Sequence, residues 1–274
     1  MPAGLPTNRR NFMKMVKTIA AAAAALMMGT SLFAIDGKEV MQKVYDREKP
    51  AFTKAAVVMT LTDKNGSKET RNVGEYGRCH DNLTDAVMIF FTPASVKDTR
   101  FLQKEKKNAD DDKWIYLPAL RTTRRVASSE GDKAFVGTDF TYDDMSTREV
   151  DEDTHEMVKE SETKNGFDCY VVKSTPVDKT DQYSYRISWV DKKSMIPVYI
   201  EMYDHQGKLE KTNEVKTIEK KSGASGKSYD IPMENFMQNV QTNHSTSIKI
   251  VNITVDAPLA EGYFSPNFLN TGRL

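Results

Sequence analysis

The chain has few of the residues and motifs that mark enzyme sites. Its 274 residues contain only two cysteines and four histidines. No histidine pair has the HExxH spacing of a zinc protease, and the GxSxG elbow of esterases does not occur. The histidines are scattered along the chain, at His80, His155, His205 and His244. We therefore predict a protein that is not an enzyme and holds no cofactor and no metal. A site assembled from residues distant in sequence stays open as the alternative.

An excess of basic residues is also missing, since 39 lysines and arginines balance 39 aspartates and glutamates. The basic residues near the start, Arg9, Arg10, Lys14 and Lys17, have no acidic residue among them. The rest of the chain is therefore mildly acidic. This balance excludes a typical nucleic-acid binder, which presents a strongly basic surface.

Long apolar runs are absent except near the start, where residues 19–28 follow the basic cluster. This run is far shorter than the roughly 20 residues of a membrane-spanning helix. The small residues before Ala34 form a plausible cleavage site. We expect residues 1–34 to be a cleaved signal peptide, residues 35–274 to be the mature domain, and the mature protein to be soluble in the periplasm.

The N-terminal residues are compatible with two export routes. Residues 8–14, NRRNFMK, resemble a twin-arginine signal. Met13 also begins an ordinary secretory signal, so the residues before it are dispensable in that reading. General secretion is the favoured route.

The two cysteines, Cys79 and Cys169, would meet an oxidising compartment after export. Nothing in the sequence places them side by side. Two alternatives therefore remain: the cysteines form a disulfide, or both are small, buried, apolar residues. Neither thiol is a candidate catalytic group.

Residues 36–274 read as a mainly β domain. Short apolar segments alternate with turn signals, which is typical of a sandwich or barrel of about ten to eleven strands. The segments are residues 52–62, 67–78, 86–91, 112–117, 122–128, 152–162, 168–174, 183–191, 198–203, 209–220 and 248–255. An amphipathic helix is predicted over residues 36–49, capped by Asp36 and ended by Pro50. A second helix is predicted over residues 95–106, and a short one near the C-terminus.

The segment from Trp114 to Asp144 contains the most specific pattern, WIYLPALRTTRRVASSEGDKAFVGTDFTYDD. Its arginines, Arg121, Arg124 and Arg125, offer bidentate forks to an anionic headgroup or a partner's carboxylate. The alternative is internal pairing, in which Asp139, Asp143 or Asp144 pins the loop. In a regular strand, Arg124 and Arg125 point to opposite faces.

This segment resembles the signature block of the LolA-like outer-membrane lipoprotein-sorting proteins: a tryptophan-tyrosine-leucine-proline strand, paired arginines, and a GTDFTY turn. Residues 189–209, WVDKKSMIPVYIEMYDHQGKL, resemble a second block of that family more loosely. The resemblance implies a single incomplete, unclosed antiparallel β-barrel with a few covering helices, LolA/LolB-like, around an apolar interior.

The same resemblance implies a periplasmic carrier that shields the acyl chains of lipoproteins or phospholipid, with an RND-type inner-membrane transporter as a possible partner. Without it, alternating aromatic residues indicate a filled core more often than a cavity. The candidate lipid-binding residues are Trp114, Tyr116, Leu117, Tyr185, Ile187 and Trp189, with Phe140 and Tyr142 at the rim. Trp114→Ala is then expected to weaken acyl binding. Two alternatives remain: an accessory transporter subunit with a filled barrel, and a hydrolase with a dispersed site.

Overall fold

Thirteen antiparallel strands form one sheet in the computed structural model, which describes residues 35–273. The strands are β1 (Phe52–Thr62), β2 (Lys68–His80), β3 (Leu83–Thr92), β4 (Arg100–Lys104), β5 (Asp112–Leu117), β6 (Thr122–Val126), β7 (Asp153–Lys164), β8 (Phe167–Pro176), β9 (Tyr185–Asp191), β10 (Pro197–Tyr203), β11 (Leu209–Ser222), β12 (Ser228–Asn239) and β13 (His244–Val255). The signal-peptide and export-route predictions fall on residues 1–34, outside the described range.

The strands run in the order β6-β5-β4-β3-β2-β1-β13-β12-β11-β10-β9-β8-β7. Each strand therefore pairs with its neighbour in sequence, except that β1 pairs with β13 and joins the two halves. The first half comprises β1 to β6, and the second comprises β7 to β13. Within the described sheet β6 and β7 are the two edges and do not pair with each other, so the predicted unclosed antiparallel architecture is confirmed.

The predicted number of ten to eleven strands is wrong, because β4 and β12 were missed. Residues 95–106 were predicted as a helix, but they contain β4, whose central residues Phe101, Leu102 and Gln103 are all buried. A strand buried on both faces lacks the alternation that reveals most strands. In β12, Pro232 argues against a strand, since it lacks an N–H group. It is accommodated beside register shifts in the pairing with β11.

Two α-helices flank the sheet. Helix α1 (Gly37–Tyr45) packs against β7 and β8, and the Asp36 side chain caps it by accepting from the Glu39 amide at 2.7 Å. The helix ends at Tyr45, before Pro50. Helix α2 (Pro266–Thr271) lies against β4, β5 and β6. Neither is long or apolar enough to cross a membrane, and the same holds for every other helix in residues 35–273.

Two faces of the sheet can be distinguished by their packing. Val57, Phe90 and Ile115 belong to the main core and define what we call the inner face. On the opposite, outer face, Leu102 and Val87 pack beneath Phe268 and Leu269 of the C-terminal segment. The inner face has no α-helix in its main core cluster, and a loop covers it instead.

Candidate functional site

The loop between the two edge strands lies on the inner face. This segment, residues 127–149, is called the plug below. It includes two short 3-10 helices, Ser128–Glu130 and Phe135–Gly137. Its centre is a tight loop in which the Phe135 amide donates to the Phe140 carbonyl at 2.8 Å and the Thr138 hydroxyl donates to the Phe135 carbonyl at 2.8 Å. Gly137 has a φ of 75°, a left-handed conformation that favours glycine.

The plug is anchored by three aromatic side chains, Phe135, Phe140 and Tyr142, all of which are buried. Phe135 meets Phe101 of β4 edge to face, with ring centroids 4.9 Å apart. Phe140 packs instead with Met202 of the second half of the sheet. One short loop thus buries aromatic rings against both halves, and each aromatic pair adds about 0.5–1.5 kcal/mol beyond area burial.

Polar contacts tie the plug to β13, at the centre of the sheet. The Thr246 hydroxyl donates to Asp139 Oδ2 at 2.7 Å and accepts from the Asp139 amide at 3.0 Å. His244 Nδ1 lies 2.7 Å from the same Oδ2 atom. Since an ionised carboxylate only accepts hydrogen bonds, His244 donates from Nδ1. The aspartate of the GTDF sequence is therefore a structural anchor.

A second anchor reaches β11, further into the second half of the sheet. Asp144 Oδ2 lies 3.6 Å from Lys211 Nζ on β11, and both side chains are buried. The Tyr183 hydroxyl donates to the same carboxylate at 3.2 Å. Burial raises the pKa of Tyr183, and the Asp144 charge raises it further, so the phenol stays protonated and acts as donor. Removing one partner of such a buried charge pair destabilises the fold strongly, because the other charge stays buried without a partner.

The first half of the sheet also binds the plug. Arg71 of β2 donates to the Val136 carbonyl at 2.6 Å, and Lys113 of β5 donates to Asp143 at 2.9 Å. Glu105 accepts from the Thr147 amide at 2.7 Å, and burial raises the pKa of this carboxyl. The plug therefore bridges the two halves of a sheet whose edges do not pair.

Beneath the plug, the apolar surface is rich in methionine. Four methionines with little exposure belong to the two clusters that the plug contacts: Met59, Met88, Met202 and Met237. Met145 of the plug packs against both clusters. Methionine is unbranched and polarisable, so it adapts to irregular shapes. An apolar surface of this composition adapts its shape more easily than one built of branched side chains.

The structure does not bring the predicted lipid-binding residues into one cavity. Trp114 and Tyr116 lie on the outer face, beside α2 and the segment before it. Leu117 packs against the inner core, where Tyr142 also lies. Phe140 is part of the plug cluster described above.

Tyr185, Ile187 and Trp189 share one face of β9, as the alternation predicts. Arg186 lies on the other face, opposite Met202 of β10, and Met202 packs against the plug. Tyr185, Ile187 and Trp189 are therefore on the outer face. Tyr185 stacks on Tyr203 at 4.4 Å between centroids, and Lys173 Nζ lies 4.4 Å from the Tyr185 ring centre.

Comparison with known proteins agrees with this architecture. A family model described as an uncharacterized protein matches residues 82–271. A proposed outer membrane lipoprotein-sorting protein domain from Vibrio parahaemolyticus is 28% identical, with a TM-score of 0.78 over 85% of this chain and 98% of that chain. The chain belongs to the family of the model that matches residues 82–271, and it is LolA-like.

Two further solved structures share the fold of this LolA-like protein. A DUF1329 family protein from Desulfovibrio piger is 24% identical, with a TM-score of 0.77 over 85% of this chain and 97% of that chain. A LolA superfamily protein from Nitrosomonas europaea is 15% identical, with a TM-score of 0.64 over 86% of this chain and 100% of that chain. No curated protein sequence matches the chain significantly.

The arginines of this LolA-like protein are on or next to the edge strand β6. Arg125 pairs with Asp112 at 2.5 Å, and Arg124 pairs with Glu130 at 2.7 Å. The internal pairing with Asp139, Asp143 or Asp144 is therefore not observed, because the inner-face contacts described above engage those aspartates. Arg121 is exposed in the β5–β6 turn, and no carboxylate in residues 35–273 pairs with it.

Each of the four histidines lies beside a different residue in the fold. His155 contacts the Ser174 hydroxyl at 2.9 Å, and His205 contacts the Asp181 carbonyl at 2.8 Å. Across residues 35–273, no group of three or more His, Cys, Asp or Glu side chains is arranged to hold a metal ion. Cys79 and Cys169 are both free thiols.

An open groove of about 540 Å³ lies on the outer face, across β13, β1 and β2. Its floor includes the small residues Ala56 and Gly74, which pair across β1 and β2. Phe91 and Val251, both at register shifts, project into solvent beside it, with 47% and 56% of their surface exposed. The groove is on the opposite side of the sheet from the plug and is a second apolar surface.

Proposed function

We propose that this LolA-like protein is a periplasmic carrier that shields the acyl chains of lipoproteins or other lipids for transfer towards the outer membrane. The observation that carries the proposal is the plug. It covers an apolar, methionine-rich inner face, and it is attached by side-chain contacts to a sheet whose edges are not paired with each other.

The energy of shielding follows from the area removed from water. Each buried methylene contributes about 0.8 kcal/mol, so an acyl chain of ordinary length is held firmly once it replaces the plug on the inner face. The plug's rings then lose their contacts, which offsets part of this gain. A carrier that must also release its cargo benefits from such an exchange.

Displacement of the plug needs no change in the sheet. Besides its buried aromatic rings, hydrogen bonds and charge pairs hold the plug on the inner face, including those of Asp139, Asp143 and Asp144. Water can satisfy the three carboxylates once the plug moves into solvent, whereas an apolar ligand removes the uncovered apolar side chains of the inner face from water. Acyl binding would therefore shift the population from a closed to an open plug.

The similarity to the Vibrio parahaemolyticus lipoprotein-sorting domain supports this function, as does the predicted signal peptide. Arg121 is the arginine best placed to contact a headgroup or a partner, since it is exposed beside the edge strand β6. We also propose an RND-type inner-membrane transporter as a partner.

Native mass spectrometry of the mature protein, purified without detergent, tests the carrier function. We expect co-purifying phospholipid or acyl species, or uptake of added lipid at one molecule per chain. The proposal would be contradicted if the protein carried no ligand and did not bind added lipid. That result would favour an accessory subunit with a filled barrel.

A further inference from the structure

One carboxyl group on the inner face has no partner. Glu75 of β2 lies opposite Ala55 of β1 and Met88 of β3. Cross-strand partners project to the same face of a sheet. Ala55 and Met88 both belong to the core cluster that contains Phe135 of the plug. The Glu75 side chain therefore points to the inner face, beside the plug.

Other charged groups on this face behave differently. Arg71 and Lys113 each reach a plug oxygen, and Asp139 accepts from the Thr246 hydroxyl. For Glu75, no hydrogen bond or ion pair links its carboxyl to any side chain or backbone group in residues 35–273. Burial raises the pKa of Glu75, and no charged neighbour counters this effect. The carboxyl is therefore half-buried among apolar side chains and free to accept hydrogen bonds from a ligand.

The inner-face residues that stay partly exposed near Glu75 indicate where a ligand would lie. Glu75 is only partly buried, as are Ile250 and Ile253 of β13 on the same face. Ile253 pairs with Ala55, the residue next to Glu75 across the sheet. A strip of partly exposed apolar surface therefore leads away from the carboxyl.

We propose that Glu75 binds the polar end of the acyl ligand and selects amphiphiles that carry a cationic amine at that end. This inference rests on the proposed carrier function. An ammonium group donates charge-assisted hydrogen bonds to the carboxylate, while the acyl chain lies along Ile253 and Ile250. A ligand with a carboxylate head would instead place two like charges in an apolar site, which is unfavourable.

Three amphiphiles with the same chain separate these effects: dodecylamine, dodecanol and dodecanoic acid. Each would compete with a fluorescent acyl probe below its micelle concentration, against the wild type, Glu75→Gln, and Glu160→Gln as an exposed control on β7. We expect the wild type and Glu160→Gln to bind the amine at least about tenfold more tightly than the acid. In Glu75→Gln this preference should fall to about twofold or less.

The ranking of the three ligands by the wild type is itself a test that needs no variant. Acid binding as tight as amine binding, or an unchanged preference in Glu75→Gln, would overturn the role of Glu75 while leaving the carrier intact. Failure of all three ligands to bind the wild type would overturn the carrier function as well.

Discussion

Asp139 of the plug and Thr246 of β13 form a reciprocal pair, because each donates to the other and the hydroxyl–carboxylate distance is 2.7 Å. Both residues are buried, although they are far apart in sequence. A GTDFTY sequence that resembles a surface turn is thus fixed against the central strand of the sheet.

Thr246→Val removes the hydroxyl with little change in shape and leaves Asp139 without its hydroxyl donor. We expect the free energy of unfolding in urea to fall by about 1–2 kcal/mol. Thr254→Val, on the exposed part of the same strand, is the matched control and should stay within about 0.5 kcal/mol. Equal effects of the two substitutions would mean that the plug contact contributes nothing to stability.

Lys211→Met leaves the Asp144 carboxylate buried without its cation. The free energy of unfolding should fall by about 3 kcal/mol, and Lys211→Met combined with Asp144→Asn should recover part of this loss. Lys216→Met breaks an exposed pair with Glu214 on the same strand and should cost less than about 1 kcal/mol. Strict additivity of the two buried substitutions would contradict a direct pair.

Trp114→Ala tests whether the tryptophan stabilises the outer face or binds an acyl chain. Because Trp114 packs in the cluster with Leu269 of α2, its truncation should lower the free energy of unfolding by about 3–5 kcal/mol, and Leu269→Ala should act similarly. Acyl affinity of the folded fraction should not change in either variant. Loss of acyl affinity in Trp114→Ala, with stability retained, would instead support the assignment made from sequence.

The two thiols should differ in reactivity. Burial raises the pKa of Cys169 to about 11, and Cys169 has no exposed surface. Burial also raises the pKa of Cys79, which remains partly exposed. Because the thiolate is the reactive form, alkylation at pH 8 should modify Cys79 first and Cys169 only after unfolding. Equal rates in the folded protein, measured by intact mass, would contradict the burial of Cys169.

Alternation predicted which residues share a face but not which face is inner. Trp114 and Tyr116 do share a face, as do Tyr185 and Trp189, yet the aromatic faces of both strands are turned away from the plug. Since the period of a strand is two, the pattern is the same for either orientation. The choice depends on what covers each face, and that is decided by α2 and the plug.

The residues outside the motif that hold the plug could not be predicted from the sequence around them. Thr246, Lys211 and Arg71 are single polar residues in otherwise ordinary strands, and their partners lie in the plug. Only the strand pairing between β1 and β13 brings β13 to the centre of the sheet. By contrast, the cap at Asp36 was predictable, because its partner is three residues away.

A reversible lock on the plug tests the carrier mechanism most directly. Asp139→Cys with Thr246→Cys, in a Cys79→Ser background, places two thiols where polar atoms lie 2.7 Å apart, and intact mass would verify the disulfide. The reduced form of the same protein is the control. We predict that oxidation abolishes acyl uptake and that reduction restores it. Equal uptake in both forms would contradict a moving plug and place the acyl chain elsewhere, with the outer groove beside Phe91 as the site to test next.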